Sequence, residues 1–172
     1  MRAVTEFLHE KQIAEIEGFI PSGGSKRGWA SWMIGAATCE TCPSIVGLVP
    51  IVPIVPNLSK DLHRTWRSYH GWSFAFKDYT DVNLTHYLDT PEFSHLQQLC
   101  DPTYFWDRLS RLPKLTIVSS DDEFMQFDWT NIWFDDAKGE QHLLIMPNAE
   151  HSSITGMPEL IRTTSAFIHS IA

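Results

Sequence analysis

The sequence has 172 residues, enough for one domain, and 43% of them are apolar while only 20% are charged, a composition typical of a globular chain that buries a core. Thirteen basic and 21 acidic side chains give a formal net charge of −8 without any charged block, which argues against a nucleic-acid partner or an anionic membrane surface. The longest apolar run, residues 45–55, contains two prolines and is about half as long as the roughly 20 residues of a membrane span, so no membrane span is predicted.

The first predicted elements are an amphipathic helix over residues 6–17 and a short strand over residues 18–21. Gly23 and Gly24 then predict a tight turn that leads into Ser25. Apolar residues recur after this turn at steps of three and four, as on the buried face of a helix: Trp29, Trp32, Met33, Ala36 and Ala37. The predicted order is strand, glycine turn, serine and helix.

Three apolar runs predict strands buried on both faces, over residues 44–52, 114–119 and 141–146. Helical patterns over residues 127–134 and 158–171 separate and follow the last two of these strands. Strands that alternate with helices indicate crossover connections and a parallel sheet covered on both sides. The predicted fold class is therefore α/β.

Residues 57–111 interrupt this alternation with some 55 residues that are rich in tryptophan, tyrosine and phenylalanine. A structureless loop of that length would be unusual in a compact domain. The segment is therefore predicted to be a helical insertion, a cap over the carboxyl edge of the sheet, within one domain of residues 1–172. Its aromatic side chains are typical either of the core of a helical subdomain or of the lining of a ligand pocket.

Polar residues follow three of the predicted strands at the edge where catalytic groups gather in parallel sheets. Ser25 follows the first strand, Asp121 and Asp122 follow the strand at residues 114–119, and His151 follows the strand at residues 141–146. The order Ser, Asp, His is that of the α/β-hydrolases. A serine needs a base, an acid that orients the base, and amide donors for the oxyanion. The predicted groups are Ser25 as nucleophile, His151 as base, an aspartate as acid and the Lys26 N–H as oxyanion donor.

Each of these assignments also has a structural alternative. Gly-Gly-Ser is often only a flexible turn, and Arg27 stands where the G-x-S-x-G pattern requires glycine, which arrives at Gly28. Asp121 and Asp122 are also suitable helix N-caps, and His151 also fits a surface loop. The three residues together, after successive strands and in the hydrolase order, favour the catalytic interpretation.

The three cysteines of the chain include the pair Cys39 and Cys42 in a CxxC spacing. This spacing fits a metal site, a redox pair, a local disulfide or two reduced and packed thiols. A structural zinc site needs four ligands, and no second CxxC or paired histidine motif follows. Neither a metal nor another cofactor is predicted.

Four segments of the sequence together resemble the PhoPQ-activated pathogenicity-related proteins, a family with autocrine proliferation repressor-like members within the α/β-hydrolase superfamily. These segments are GGSKRGWASW, RSYHGWSFAFKDYTDVNLTHYLDTPEF, PKLTIVSSDDEFM and MPNAEHSS. The resemblance runs from about residue 16 to the C-terminus. The GASKRG, GDEF and NAGHS segments usual in the family match Ser25, Asp122 and His151, so the resemblance selects Asp122 as the acid. Glu150 replaces a small family residue beside the histidine, and its charge would tend to raise the imidazole pKa if close.

The resemblance implies a serine hydrolase that acts on an ester or peptide bond of a small molecule or peptide. The alternative is a non-catalytic secreted signalling protein with a cell-surface partner, because some relatives are repressors of proliferation. Secretion is implied by the family alone, since Glu6 and Glu10 interrupt the apolar segment that a signal peptide would need. Family members are longer and carry earlier strands, so we expect the chain to be the C-terminal part of the fold, with low turnover because one missing oxyanion donor costs about 10²–10³ in rate.

Overall fold

The computed structural model describes residues 1–37 and 44–171. The strands are β1 Ser22–Gly24, β2 Val49–Ile51, β3 Lys114–Ser119 and β4 Gln141–Met146. The α-helices are α1 Arg2–Glu10, α2 Lys26–Ala36, α3 Leu58–Tyr69, α4 Lys77–Asp81, α5 Pro91–Cys100, α6 Trp106–Leu109 and α7 Met157–Ile171. Short 3₁₀ helices lie at Phe74–Phe76, Leu84–Tyr87, Pro102–Phe105 and Phe127–Ile132.

The four strands form one parallel sheet in the order β1-β2-β3-β4. Each strand therefore pairs with the next one along the chain, and helices fill the connections. The carboxyl ends of all four strands meet at one edge, as they must in a parallel sheet. The predicted α/β class and parallel sheet with flanking helices are confirmed.

Burial differs between the two longest strands because one is inside the sheet and the other at its edge. All six residues of β3 are buried, which fits the apolar run from which that strand was predicted. In β4 only Met146 is buried, and Ile145 keeps 40% of its surface exposed. The prediction that residues 141–146 are buried on both faces is therefore wrong, although the strand bounds are right.

The main core is built on aromatic packing between α2 and the later helices. The ring of the fully buried Trp32 lies 5.7 Å from that of Trp106 and 5.9 Å from that of Trp133, with edge-to-face geometry in both pairs. Such pairs add about 0.5–1.5 kcal/mol beyond the burial of their area. A smaller core on the other side of the sheet packs Phe167 of α7 with strand residues such as Ile117. The sheet is thus fixed from both faces.

The N-terminal elements differ from their predicted bounds. The first helix ends at Glu10 rather than at residue 17, and Gln12 has a left-handed φ of 54° that stops it from continuing. The predicted strand over residues 18–21 is represented by one bridge, from Phe19 to Ile45. The paired strand begins at Ser22, so the two glycines lie inside β1 rather than in a turn.

Three further segments follow the predicted type with altered bounds. Of the predicted strand over residues 44–52, β2 keeps only Val49–Ile51, because Val52, with a left-handed φ of 37°, ends the extended backbone. The predicted helix over residues 127–134 is a 3₁₀ helix. In α7, Phe167 is buried whereas Ile161 is 59% exposed, so the predicted apolar face is only partly covered.

Helices α3 to α6 and three of the 3₁₀ helices occupy the predicted insertion at residues 57–111. Its aromatic residues divide between core and surface: Phe76 and Trp106 are buried, while Phe74 and Tyr87 are 83% and 54% exposed. Because Phe76 also lines a cavity, core packing and pocket lining both apply to this segment. Its role as a cap stays a prediction.

The CxxC cysteines, Cys39 and Cys42, lie outside the described residues. Among residues 1–37 and 44–171, no helix is long and apolar enough to cross a membrane. The same part of the chain holds no cluster of three or more side chains suited to bind a metal ion.

Candidate active site

Ser25 lies at a sharp elbow between β1 and α2. Its backbone has φ 56° and ψ −121°, a conformation that L-residues other than glycine rarely adopt. The Ser25 N–H donates to the carbonyl of Ile51 in β2 at 2.9 Å, which fixes the elbow to the sheet. The sequence folds in this way because a helix starts one residue after the serine, with no room for a longer connection.

Two glycines make the elbow sterically possible. A Cβ on Gly28 would lie 2.8 Å from the Ile51 carbonyl oxygen, and one on Gly23 would lie 2.5 Å from Arg27 Cβ. Both positions therefore need glycine for close packing of α2 against the strands. A Cβ on Gly24 would meet nothing within 4 Å, so alanine, which the resembling family carries there, would fit. Gly28 is thus the residue that lets α2 approach Ile51 of β2 closely, although it lies one position after the last glycine of the G-x-S-x-G pattern.

Asp122 lies in the turn after β3 and is only 4% exposed. Its Oδ1 accepts hydrogen bonds from the N–H groups of Phe124 and Met125 at 2.8 and 3.0 Å. Its Oδ2 lies 2.8 Å from His151 Nδ1. One carboxylate therefore caps a turn and orients the imidazole. The alternative that Asp122 is a helix N-cap is wrong, because the next helix begins only at Phe127, and its role as catalytic acid stays a prediction. Asp121 is exposed, its carboxylate accepts from the Ser120 hydroxyl at 3.2 Å, and its N–H donates to the Ala149 carbonyl.

His151 lies in the loop after β4 and closes a hydrogen-bonded chain. Its Nε2 lies 2.8 Å from Ser25 Oγ, on the side of the ring opposite to Asp122. With the Nδ1 proton donated to the carboxylate, Nε2 is an acceptor for the serine hydroxyl. The three predicted site residues, which span 126 positions of sequence between Ser25 and His151, are thus in contact at one edge of the sheet.

His151 is held in place by two residues that were not predicted to belong to the site, Glu123 and Phe124. The Glu123 carboxylate accepts a hydrogen bond from the His151 N–H at 3.1 Å. The ring of Phe124 packs against the imidazole with centroids 4.4 Å apart. Both residues belong to the DDEFM segment, and their adjacency to Asp122 was the only signal available. Together they fix the backbone and one face of the imidazole.

Glu150, the charged residue beside the histidine, is engaged by its own loop. Its carboxylate accepts hydrogen bonds from the hydroxyl of Ser152 and from Thr155 Oγ1 and the Ile154 N–H. The Ser152 bond first, and then that of Thr155, lower the pKa of Glu150 to about 2. This carboxylate therefore stays ionised at neutral pH and organises the loop that carries His151.

A cleft of about 440 Å³ opens over the hydrogen-bonded side chains of Ser25 and His151, and we call it the Ser25 cleft. Its lining includes Ser25, Lys26, Tyr79, Phe124, Met125 and His151. Lys26 is the first residue of α2, so its N–H has no acceptor within the helix. The positive end of the helix dipole also favours an anion there. An oxyanion formed beside Ser25 would find this donor.

The parallel sheet has a sharp strand-to-helix elbow at Ser25, with Asp122 after β3 and His151 after β4, and this is the arrangement of the α/β-hydrolase fold. Est1E from Butyrivibrio proteoclasticus is similar in structure, with a TM-score of 0.61 and 14% identity over 98% of this chain and 67% of that chain. A puromycin-hydrolyzing peptidase of Mycobacterium tuberculosis aligns with a TM-score of 0.55 and 17% identity, over 87% of this chain and 21% of that chain. The fold is therefore that of the α/β-hydrolases.

The sequence narrows the class to one family. The family model of the PhoPQ-activated pathogenicity-related proteins matches residues 1–172, and the chain belongs to this family. Autocrine proliferation repressor protein A of Dictyostelium discoideum is 37% identical over an alignment of 174 positions. The alignment covers 98% of this chain and 33% of that protein. The chain thus spans about a third of the length of this curated relative.

Proposed function

We propose that the protein is a serine hydrolase that cleaves an ester or peptide bond through an acyl-enzyme on Ser25. The observation that carries this proposal is the continuous hydrogen-bonded chain from Ser25 Oγ through His151 to Asp122, with 2.8 Å at each link. The strained backbone of Ser25 supports it, because such strain is concentrated at functional sites.

The geometry suits a two-step mechanism. Ser25 Oγ attacks the carbonyl carbon while its proton passes to His151 Nε2, and Asp122 stabilises the imidazolium. The Lys26 N–H donates to the oxyanion. The imidazolium then gives its proton to the leaving oxygen or nitrogen as the bond from that atom to the carbonyl carbon breaks. Water, deprotonated by His151, attacks the acyl-enzyme, and the imidazolium then returns the proton to Ser25 Oγ as the bond from this oxygen to the acyl carbon breaks. The carboxylic acid and free Ser25 are released.

Labelling with a fluorophosphonate probe tests this proposal, because the probe reacts with an activated serine. We expect the purified protein to be labelled once, at Ser25, and Ser25→Ala to abolish the label. His151→Ala should slow labelling about 10²–10⁴-fold through loss of the base. Ser22→Ala, an exposed serine of β1 in the same segment, is the matched control and should label like the wild type. A cooperatively folded protein that takes no label would contradict the proposal.

A non-catalytic secreted signalling role with a cell-surface partner is the second candidate. It is favoured by one observation, the 37% identity to a protein named for repression of proliferation. The hydrolase scaffold is compatible with it, because a fold does not dictate a function. The Ser25→Ala variant separates the two candidates in a proliferation assay: unchanged repression supports the signalling role, and loss of repression supports the hydrolase.

A further inference from the structure

A second cavity, of about 360 Å³, lies beside the Ser25 cleft, and we call it the apolar cavity. Its size falls within the range of about 300–1,000 Å³ typical of small-molecule sites. Most of its lining comes from the helices of residues 57–111 and is aliphatic or aromatic, as in Leu62, Phe76, Leu84, Leu88, Phe93 and Leu96. Nothing in the proposed mechanism uses this space.

The apolar cavity and the Ser25 cleft share a wall. Lys26, Ile54 and Tyr79 line both of them. The Lys26 ammonium lies 5.9 Å from the centroid of the Tyr79 ring, so these two side chains pack together at the boundary. A group bound at Ser25 therefore lies next to the apolar cavity, with only these three side chains between the two spaces.

Away from the wall shared with the cleft, the cavity lining carries no charged side chain. Trp29, which also lines it, donates its indole N–H to the Cys100 carbonyl at 2.6 Å, so that donor is occupied. The one charged residue of the lining is Lys26, on the wall shared with the cleft. A cavity with such a lining favours an uncharged hydrocarbon group, through removal of apolar surface from water.

The two halves of a substrate can be assigned to the two spaces. The leaving group must accept a proton from His151 Nε2, so it lies on the side of the cleft lined by His151 and Phe124. His151 does not line the apolar cavity, whereas the Lys26 side chain, whose ammonium packs on Tyr79, lies at the boundary of both spaces. The acyl part, which leaves the carbonyl carbon away from both the leaving group and the oxyanion, is therefore the part assigned to the cavity.

We infer that the apolar cavity is an acyl-binding site, and that the substrate is an ester of a medium-chain aliphatic acid. This inference rests on the proposed hydrolase function. One water occupies about 30 Å³ in the liquid, and a methylene group is of similar size, so a cavity of about 360 Å³ has room for at most about twelve carbons. An acyl chain of roughly eight to ten carbons fits without filling it completely. Hydrolysis of such an ester releases the alcohol first and the fatty acid second.

The test is a chain-length series of p-nitrophenyl esters from acetate to dodecanoate. We expect kcat/KM to rise about threefold for each added methylene up to eight or ten carbons and then to level off, since each buried methylene contributes a similar transfer free energy. Leu84→Trp would fill the cavity from its half-buried edge. It should lower the ratio of octanoate to butyrate kcat/KM at least tenfold.

The matched control is Leu99→Trp, because Leu99 lies on α5 but is 74% exposed and outside the cavity lining. It should keep the wild-type ratio. Leu96→Trp, on the same helix but at the cavity and 48% exposed, replaces Leu84→Trp if thermal melts show that the latter does not fold. Short esters that are cleaved with a flat chain-length profile, or an unchanged ratio in the cavity variants, overturn the acyl site and leave the hydrolase standing. No cleavage at any length overturns the hydrolase and the acyl site together.

Discussion

Ser25 combines a hydrogen bond to His151 with an unfavourable backbone conformation. A residue with φ 56° and ψ −121° places its Cβ against neighbouring backbone atoms, and this costs on the order of 1–3 kcal/mol. The conformation is maintained by the Ile51 carbonyl on one side and the start of α2 on the other. Stability is therefore given up at the residue where the hydroxyl must point out of the sheet.

A glycine at position 25 should make the protein more stable than an alanine there, because glycine adopts positive φ at little cost. We expect Ser25→Gly to unfold at a higher urea concentration than Ser25→Ala, with a free-energy difference of about 1 kcal/mol. Both variants lose the bond to His151, so their comparison isolates the backbone. Equal unfolding midpoints, or a less stable glycine variant, would show that the elbow stores no strain.

The residues of the candidate site were predictable to different degrees. Ser25 and His151 follow from strand order alone, because the edge of a parallel sheet collects the residues that come after its strands. The choice of Asp122 over Asp121 depended on the family resemblance. The contacts of Glu123 and Phe124 with His151 were not predictable, because they depend on the path of the loop after β4. The catalytic roles themselves stay predictions.

The buried carboxylate of Asp101 connects the start of α3 to the 3₁₀ helix at Pro102–Phe105. Its carboxylate, in a residue 1% exposed, accepts from the N–H groups of Asn57 and Leu58 at 2.9 and 2.8 Å. It also accepts from the N–H and hydroxyl of Thr103 at 3.0 and 2.9 Å. The N-terminus of α3 is thus capped from 43 residues away, and the carboxylate complements the helix dipole there.

Loss of the Asp101 carboxylate should destabilise the fold. We expect Asp101→Ala to lower the free energy of unfolding by about 2–3 kcal/mol, because buried N–H groups would lose a charged acceptor. Asp107→Ala, which removes an exposed carboxylate paired with Lys138, is the control and should change the urea midpoint little. Similar urea midpoints for the two variants would show that the hydrogen bonds of Asp101 do not stabilise the fold.

The bounds of strands and helices were predicted correctly where the apolar run in the sequence ended at the same residues as the element. The bounds of β3 and β4 were predicted correctly because each is a compact apolar run next to turn residues. The burial of β4 was misjudged, since a sequence does not reveal which strand lies at an edge. The first helix was extended too far because its apolar period continues past Glu10, whereas the left-handed Gln12 ends it.

The fold encloses a third buried acid besides Asp101 and Asp122 in the part of the chain that the structure describes. Asp61 of α3 has no exposed surface, and among the described residues neither of its oxygens has a hydrogen-bond partner. Burial raises the pKa of Asp61 well above its usual range; Arg64 opposes this shift, and Asp122 and Asp128 strengthen it. The carboxyl therefore holds its proton in the folded state over a range of pH where the unfolded chain has lost it.

This difference predicts how stability depends on pH. Above about pH 4, where an unfolded aspartate ionises, the folded state binds more protons at Asp61 than the unfolded state, so stability falls as pH rises toward the folded pKa. Asp61→Asn removes this loss. Its melting temperature should exceed that of the wild type by several degrees at pH 7, with little difference at pH 4.

An exposed aspartate provides the control for this comparison. Asp135→Asn makes the same chemical change at the surface, and its melting temperature should follow that of the wild type at both pH values. A gain for Asp61→Asn of the same size at pH 4 and pH 7 would contradict the linkage, because it would show that packing, rather than ionisation, separates the two side chains.

The distance of 126 residues between Ser25 and His151 also has a consequence during synthesis. A ribosome adds about 5–20 residues each second, so the serine leaves the ribosome roughly 6–25 seconds before the histidine. In that interval the hydroxyl has no base beside it and is as unreactive as any other serine. In the proposed hydrolase, the nascent chain would therefore gain the base for Ser25 only when β4 and the loop after it have been made and have joined the sheet.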